Sequence, residues 1–114
     1  MDSILTSIKK LLGITEEYEH FDTDLIIHIN SVFMALTQIG VGPSEGFIIH
    51  DEDAIWSDFI QDPLKQQAVK TDVYLKVKLI FDPPLSSGAI TAMNEQIKEY
   101  EWRLNISAET SKSE

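Results

Sequence analysis

The stretch from Ala68 to Pro84, AVKTDVYLKVKLIFDPP, constrains the fold most, because it is dense in apolar residues and ends at two prolines. The spacing of its apolar residues fits a helix that is buried on nearly all sides, and it also fits a strand with alternating faces. Periodicity alone therefore does not decide between helix and strand. Asp62-Pro63 supplies a helix start, and no Gly, Asn or Pro interrupts Lys65–Phe81. That run is long for a strand, and Asp82-Pro83-Pro84 must stop a helix. The sequence therefore predicts a central helix at about residues 63–81.

Two helices are predicted before the central one. The first covers about residues 4–12, with Asp2 or Ser3 as N-cap and Gly13 as the closing residue. The second begins with Asp22 as N-cap and ends at Gly40. Its broad apolar stripe is expected to face the core.

A last helix is predicted from Ser86 or Ser87 to about Asn105, because apolar residues recur there at spacings of three and four. The tail at 107–114 has little apolar content and should be disordered in the free protein. The predicted fold is all-α, with four to five helices packed around the central helix at about 63–81. Residues 1–106 are expected to form one helical domain.

The segment between Gly40 and Phe59 is the least helical part of the sequence. Phe47–Ile49 and Ala54–Trp56 are compatible with two short strands, which predicts a small β-hairpin at about 46–57. The glycines at its start superficially resemble a phosphate-binding loop. No Lys-Ser or Lys-Thr pair follows them, and a helix rather than a strand precedes them, so that reading is disfavoured.

The acidic residues from Asp51 to Asp58 are the strongest candidates for a metal site. A calcium loop would need Gly and Glu at the positions of Trp56 and Asp62, so a solvated acidic turn is the better interpretation. The three histidines are scattered and form no HxxxH pair. The sequence therefore offers no positive sign of catalysis or of a metal site.

The charge balance restricts the partners of this chain. The net charge is −10, from 19 acidic and 9 basic residues, which disfavours tight binding to nucleic acid. The chain has no cysteine and no apolar run of membrane-spanning length. We expect a protein that is made in the cytosol and has no membrane partner. Its acidity fits solubility, a basic partner, or a surface past which DNA moves without sticking.

Several apolar residues fall outside the predicted core stripes. Ile27 and Met34 lie opposite the main stripe of the second helix, and Trp102 projects from the polar side of the last helix. A tryptophan on a polar face occurs in monomers but is enriched where protein surfaces meet. We therefore predict an oligomer or partner interface that includes these candidates: Ile27, Met34, Phe47, Ile49, Trp56 and Trp102.

An ordered set of segments carries a family resemblance. SILTSIKKLLGI, DTDLIIHINSVFMALTQIGVGP, WSDF, YLKVKLIFDPP and EQIKEYEWRLN follow one another through nearly the whole chain. In this order they resemble the small head-tail connector proteins of long-tailed double-stranded DNA phages and prophages. The set is specific as a whole, whereas each segment is weak by itself and none is a catalytic signature.

The resemblance implies a mainly α-helical subunit in a homo-oligomeric ring, expected to be a dodecamer, beneath the portal protein of the virion. It implies no enzymatic activity and no cofactor. Trp56, Asp58 and Phe59 match the WSDF segment of the family, and Asp82-Pro83-Pro84 match the stop before its final helix. The residues that match its central helix are Val73, Leu75, Val77, Leu79 and Phe81. These shared positions are structural.

The leading hypothesis is a structural connector at the head-tail junction that is assembled in the host cytoplasm. It would dock on the portal, extend the DNA channel without tight DNA binding, and carry the next neck or tail completion protein. The alternative is a small acidic protein-binding module that imitates DNA, although the acidic residues are dispersed. A metal-dependent hydrolase using Asp51–Asp58 is the least favoured.

Overall fold

In the computed structural model, which describes the backbone of residues 3–113 and the side chains of residues 3–108, the chain is all-α. This confirms the predicted fold class. The described residues form five helices: α1 Ile4–Leu11, α2 Asp22–Gln38, α3 Trp56–Phe59, α4 Pro63–Phe81 and α5 Ser87–Ser113.

The central helix α4 has the predicted bounds. Asp62 caps it, since the Leu64 backbone N–H donates to Asp62 Oδ1 at 2.9 Å, and Pro63 occupies its first turn. Its valines at 69, 73 and 77 are fully buried. Because α4 packs against α2 on one side and α5 on another, it needs apolar residues around most of its circumference.

The core lies between α1, α2, α3 and α4. Phe33 of α2 is fully buried and contacts Phe59 of α3, with ring centroids 4.5 Å apart. Phe47 packs edge-on against Phe33 at 5.1 Å. Leu104 brings α5 into the same cluster. The WSDF helix therefore closes one side of the core.

The predicted hairpin at about 46–57 is wrong, since no strand forms within residues 3–113. Its two halves bind other elements. The Ile49 backbone N–H donates to Asn30 Oδ1 at 2.7 Å, and Asn30 Nδ2 donates to the Ile49 carbonyl at 2.9 Å. The Ala54 carbonyl accepts the Ile4 N–H at 2.9 Å, beside an isolated antiparallel bridge between Ser3 and Ile55. These partners use the backbone groups that a hairpin would have paired.

The expected N-cap of α2 is also wrong by one residue. Asp22 is the first helical residue, and its carboxylate lies 2.9 Å from the buried Lys9 Nζ instead of capping its own helix. Phe21 takes the N-cap position and packs edge-on against Phe81, with ring centroids 5.0 Å apart. Together these contacts fix the start of α2 against α1 and the end of α4.

Helix α5 continues well beyond the predicted end at about Asn105, reaching Ser113. Ser86 starts it, because its hydroxyl accepts the Ala89 backbone N–H at 3.3 Å. The disorder expected for residues 107–114 in the free protein stays a prediction. Residue 114 and the side chains from residue 109 lie outside the described part.

Candidate assembly surfaces

The structure separates the six candidate interface residues into two groups. Ile27, Met34 and Trp102 are exposed at 57%, 62% and 65% of their surface. Ile49 and Trp56 lie in the core, with exposed fractions of 1% and 4%, so neither belongs to a candidate surface. Phe47 is half-buried against Phe33 and Phe59. The Trp56 indole N–H donates to Ser7 Oγ at 3.1 Å, which fastens α3 to α1.

The first candidate surface is the α2 face, which consists of the exposed residues Ile27, Ser31, Met34 and Gln38. Their spacing of four, three and four places them on one side of the helix. No Asp, Glu, Lys or Arg occurs from residue 25 to residue 44. A solvent-exposed helix face normally carries charge, so this uncharged face in an acidic chain is a candidate contact surface.

Ile48 extends the α2 face. The pair of hydrogen bonds between Asn30 and Ile49 fastens the loop beside α2, at a helix position between Ile27 and Met34. Ile49 points into the core, while its neighbour Ile48 is exposed. Sequence reasoning selected Ile49 and missed Ile48. The alternation of the extended FII segment could have shown that only one of the two isoleucines faces inward.

The second candidate surface is the Trp102 face of α5, which contains Trp102, its apolar neighbour Ile106 and four charged residues. The four charges form two local ion pairs, Glu99 with Arg103 at 2.6 Å and Glu95 with Lys98 at 3.9 Å. Among the described side chains, the face therefore has no net charge around its exposed indole. Exposed helical ion pairs of this kind contribute little to the stability of the fold.

The two faces lie on different helices, each on the side away from the core. Helix α2 buries Leu25 and Ile29, and α5 buries Ile97 and Leu104, in each case on the side opposite the exposed apolar residues. Both helices pack on α4. They meet each other near the end of α2, where Asn105 Nδ2 donates to the Ile39 carbonyl at 3.0 Å. One subunit thus presents two unlike apolar surfaces.

A partly buried charge cluster joins α5 to α4, and sequence reasoning missed it. Lys76 Nζ lies 3.2 Å from Asp72 Oδ2 and 2.7 Å from Glu101 Oε1. Asp72 is fully buried, and this burial raises the pKa of its carboxyl from 3.8 to about 6, although the Lys76 ammonium opposes the rise. An aspartate inside the apolar run was the available signal. The cluster holds α5 in register on α4.

The acidic turn has local structural roles. Asp51 Oδ1 accepts the Asp53 backbone N–H at 2.8 Å, and Asp58 Oδ2 accepts the Ile55 N–H at 3.0 Å at the start of α3. Among the described residues, no three His, Asp or Glu side chains converge to hold a metal ion. In the same part of the chain, no helix is long and apolar enough to cross a bilayer.

Comparison of the sequence with known proteins identifies one family. The model of a family described as phage connector protein matches residues 4–111, which is most of the chain. No curated protein and no solved structure matches the sequence. That family consists of structural proteins of the phage head-tail junction. The chain therefore belongs to the phage connector protein family.

Proposed function

We propose that this protein is a structural subunit that closes into a homo-oligomeric ring beneath the portal. The observation that carries this proposal is the pair of unlike apolar surfaces, the α2 face and the Trp102 face, on one subunit. A closed ring needs two different patches per copy, because each head-to-tail contact is heterologous. The ring would extend the DNA channel and carry the next neck or tail completion protein.

Burial of the exposed apolar residues supports such an assembly energetically. A large apolar side chain gains about 1.5–3 kcal/mol when it is removed from water. Ile27, Met34 and Trp102 are each more than half exposed in the single subunit. The same contact is repeated between every pair of neighbours, so a modest gain per contact stabilises the whole ring.

The charge of the chain suits a channel through which DNA passes. A net charge of −10 repels phosphate, which disfavours the counterion release on which tight DNA binding depends. Lys9, Lys76 and Arg103 are each paired with a carboxylate of the same chain. We therefore propose that DNA moves through the ring without tight binding.

Light scattering after size exclusion, combined with co-sedimentation with portal-containing heads, tests this function. We expect purified protein to form a defined oligomer or to join such heads, and the double variant Ile27→Asp/Met34→Asp to do neither. Leu85→Asp changes an exposed apolar residue outside both faces and should behave as wild type. A wild-type protein that stays monomeric and never joins heads would refute the proposal.

The acidic DNA-mimic alternative receives less support from the arrangement of the charges. Imitation of a phosphate ladder needs rows of free carboxylates on one face. On α5, Glu95, Glu99 and Glu101 each lie against a basic side chain. Tight, salt-sensitive binding to a DNA-binding protein would favour the DNA-mimic alternative over the connector.

A further inference from the structure

We propose that the lateral contact of the ring joins the α2 face of one copy to the Trp102 face of the next. This inference rests on the proposed ring and adds which surfaces meet. The occupant of each face is thus a second copy of this chain. Three observations carry the pairing: local charge, the chemistry of the α2 face, and the relative positions of the two faces.

The charge distribution favours contact at these two faces. Copies that each carry a net charge of −10 repel one another, so their contact is least costly where no net charge is brought together. The α2 face has no charged residue. The Trp102 face has two acidic and two basic residues that already form pairs, Glu99 with Arg103 and Glu95 with Lys98. Counted over the described side chains, both surfaces are therefore electrically neutral within a strongly acidic molecule.

The chemistry of the α2 face suits a large aromatic ring. Ser31 lies between Ile27 and Met34 on the helix surface, and its side chain is smaller than theirs. The Ser31 hydroxyl donates to the Ile27 carbonyl at 3.1 Å, so its hydrogen is already used within the helix. Met34 is flexible and makes favourable contacts with aromatic rings. These features fit the exposed Trp102 indole.

The dimensions of the two apolar surfaces are compatible with helix-on-helix packing. Ile27 and Met34 are about 10 Å apart along α2, and Trp102 and Ile106 are about 6 Å apart along α5, at a rise of 1.5 Å per residue. Exposed Ile48 lies beside the α2 face and adds apolar surface. A neighbour's α5 can therefore cover the α2 face with Trp102 at its centre and Ile106 one turn further on.

Pairing of unlike faces also explains how a ring can form. If the α2 face met another α2 face, the contact would be isologous and would close at a dimer. The same holds for two Trp102 faces. Because the two faces lie on different helices that flank α4, joining one to the other leaves a free face at each end of the pair. Addition of copies then continues until the ring closes.

Cysteine crosslinking tests the pairing directly, since the natural chain has no cysteine. Ser31→Cys keeps a small side chain at the centre of the α2 face, and Ile106→Cys leaves Trp102, Ile27 and Met34 in place. The double variant is treated with a short bis-maleimide reagent in the assembled state, either as free ring or on heads. We expect a ladder of covalent multimers on a denaturing gel and only monomers from each single variant.

Two controls define the result. Adding Trp102→Ala to the double variant should abolish the ladder, because the aromatic contact is lost. Ser31→Cys combined with Leu85→Cys should give no ladder, since Leu85 is exposed but precedes α5 and lies far from the Trp102 face. Unchanged circular dichroism melting of all variants shows that they fold.

The outcomes separate the pairing from the proposed function. Covalent dimers from either single variant would mean an isologous contact and would overturn the pairing. A closed ring in electron micrographs whose double variant gives no ladder would also overturn it, while the ring itself would stand. If wild-type protein forms no oligomer and never joins heads, both the proposed function and the pairing fail.

Discussion

At Gly42 the fold leaves no room for a side chain. Its φ is +83°, and a Cβ atom would clash with the Phe59 ring. We expect Gly42→Ala to lower the free energy of unfolding by about 2–5 kcal/mol, from the left-handed backbone together with overpacking. Urea denaturation measures the loss. Gly46→Ala, at φ +95° with open space around it, should lose only about 1–2 kcal/mol. Equal losses would contradict the proposed clash.

Lys9 is a buried cation on which the start of α2 depends. Its Nζ lies 2.9 Å from Asp22 Oδ1 and donates to the Glu16 carbonyl at 2.9 Å. Lys9→Met should lower the free energy of unfolding by about 3 kcal/mol, because the Asp22 carboxylate loses its ion-pair partner. Thermal and urea unfolding report the change. The exposed neighbouring change Lys10→Met is the matched control, and a similar loss in both variants would argue against the role of the pair.

Asp72 makes stability depend on pH. Burial raises its pKa from 3.8 to about 6, against the Lys76 ammonium and with a smaller contribution from Glu101. The folded state therefore binds this proton more tightly than the unfolded state. The associated stability is present below about pH 4 and is lost as the pH rises through about 6, amounting to at most about 3 kcal/mol.

Asp72→Asn tests this linkage. The variant should show a flatter stability profile between pH 4 and 6 than wild type, because the titrating carboxyl is gone. At pH 7 it should also be more stable, since no buried carboxylate remains to be charged. Urea midpoints measured across this range give the answer. A variant profile with the same slope as wild type would exclude Asp72 as the source.

At the scale of elements, helix limits could be predicted where the sequence contains strong stop or start signals. Asp62-Pro63 and Asp82-Pro83-Pro84 fixed both ends of α4. The end of α5 could not be found in this way, because no Gly or Pro follows Asn105 to interrupt the helix. Weak apolar content alone was insufficient to locate that end.

The predicted hairpin does not form because one of its halves makes a tertiary contact. Phe47–Ile49 has a strand-like composition, but the N–H and carbonyl of Ile49 bind the side chain of Asn30, which lies 19 residues earlier on α2. Local pattern contains no information on such a partner. The exposure of Ile27, Met34 and Trp102 could be predicted from helix geometry. Ile49 was predicted to lie at an interface, but it is buried and Ile48 is exposed, because the loop docks on α2.

Asn30→Ala should release this loop from α2. The Ile49 N–H and carbonyl would both lose their partner, which we expect to cost about 1–3 kcal/mol. Hydrogen exchange at the Ile49 amide should accelerate more than exchange at core amides of α4. Ser31→Ala, which removes an exposed hydroxyl on the next residue, serves as the control. Unchanged exchange at Ile49 would show that the loop is held by other contacts.

For the whole molecule, the negative charge predicts an unusual response to salt. Because each copy carries −10 and the proposed contact surfaces are neutral, added NaCl should strengthen self-association by screening repulsion. Sedimentation velocity at 20 mM and 500 mM salt measures the oligomeric fraction. Dissociation at high salt would instead indicate that ion pairs between subunits, or a basic partner, hold the assembly together.

The most direct measurement of the central claim is electron cryomicroscopy of portal-containing heads that carry this protein. We predict a closed ring coaxial with the portal, in which Ile27 and Met34 of each copy are covered by Trp102 of its neighbour. The channel through the ring should be wide enough for duplex DNA. A map in which the protein is a single copy, or in which these three side chains remain exposed to solvent, would contradict the account.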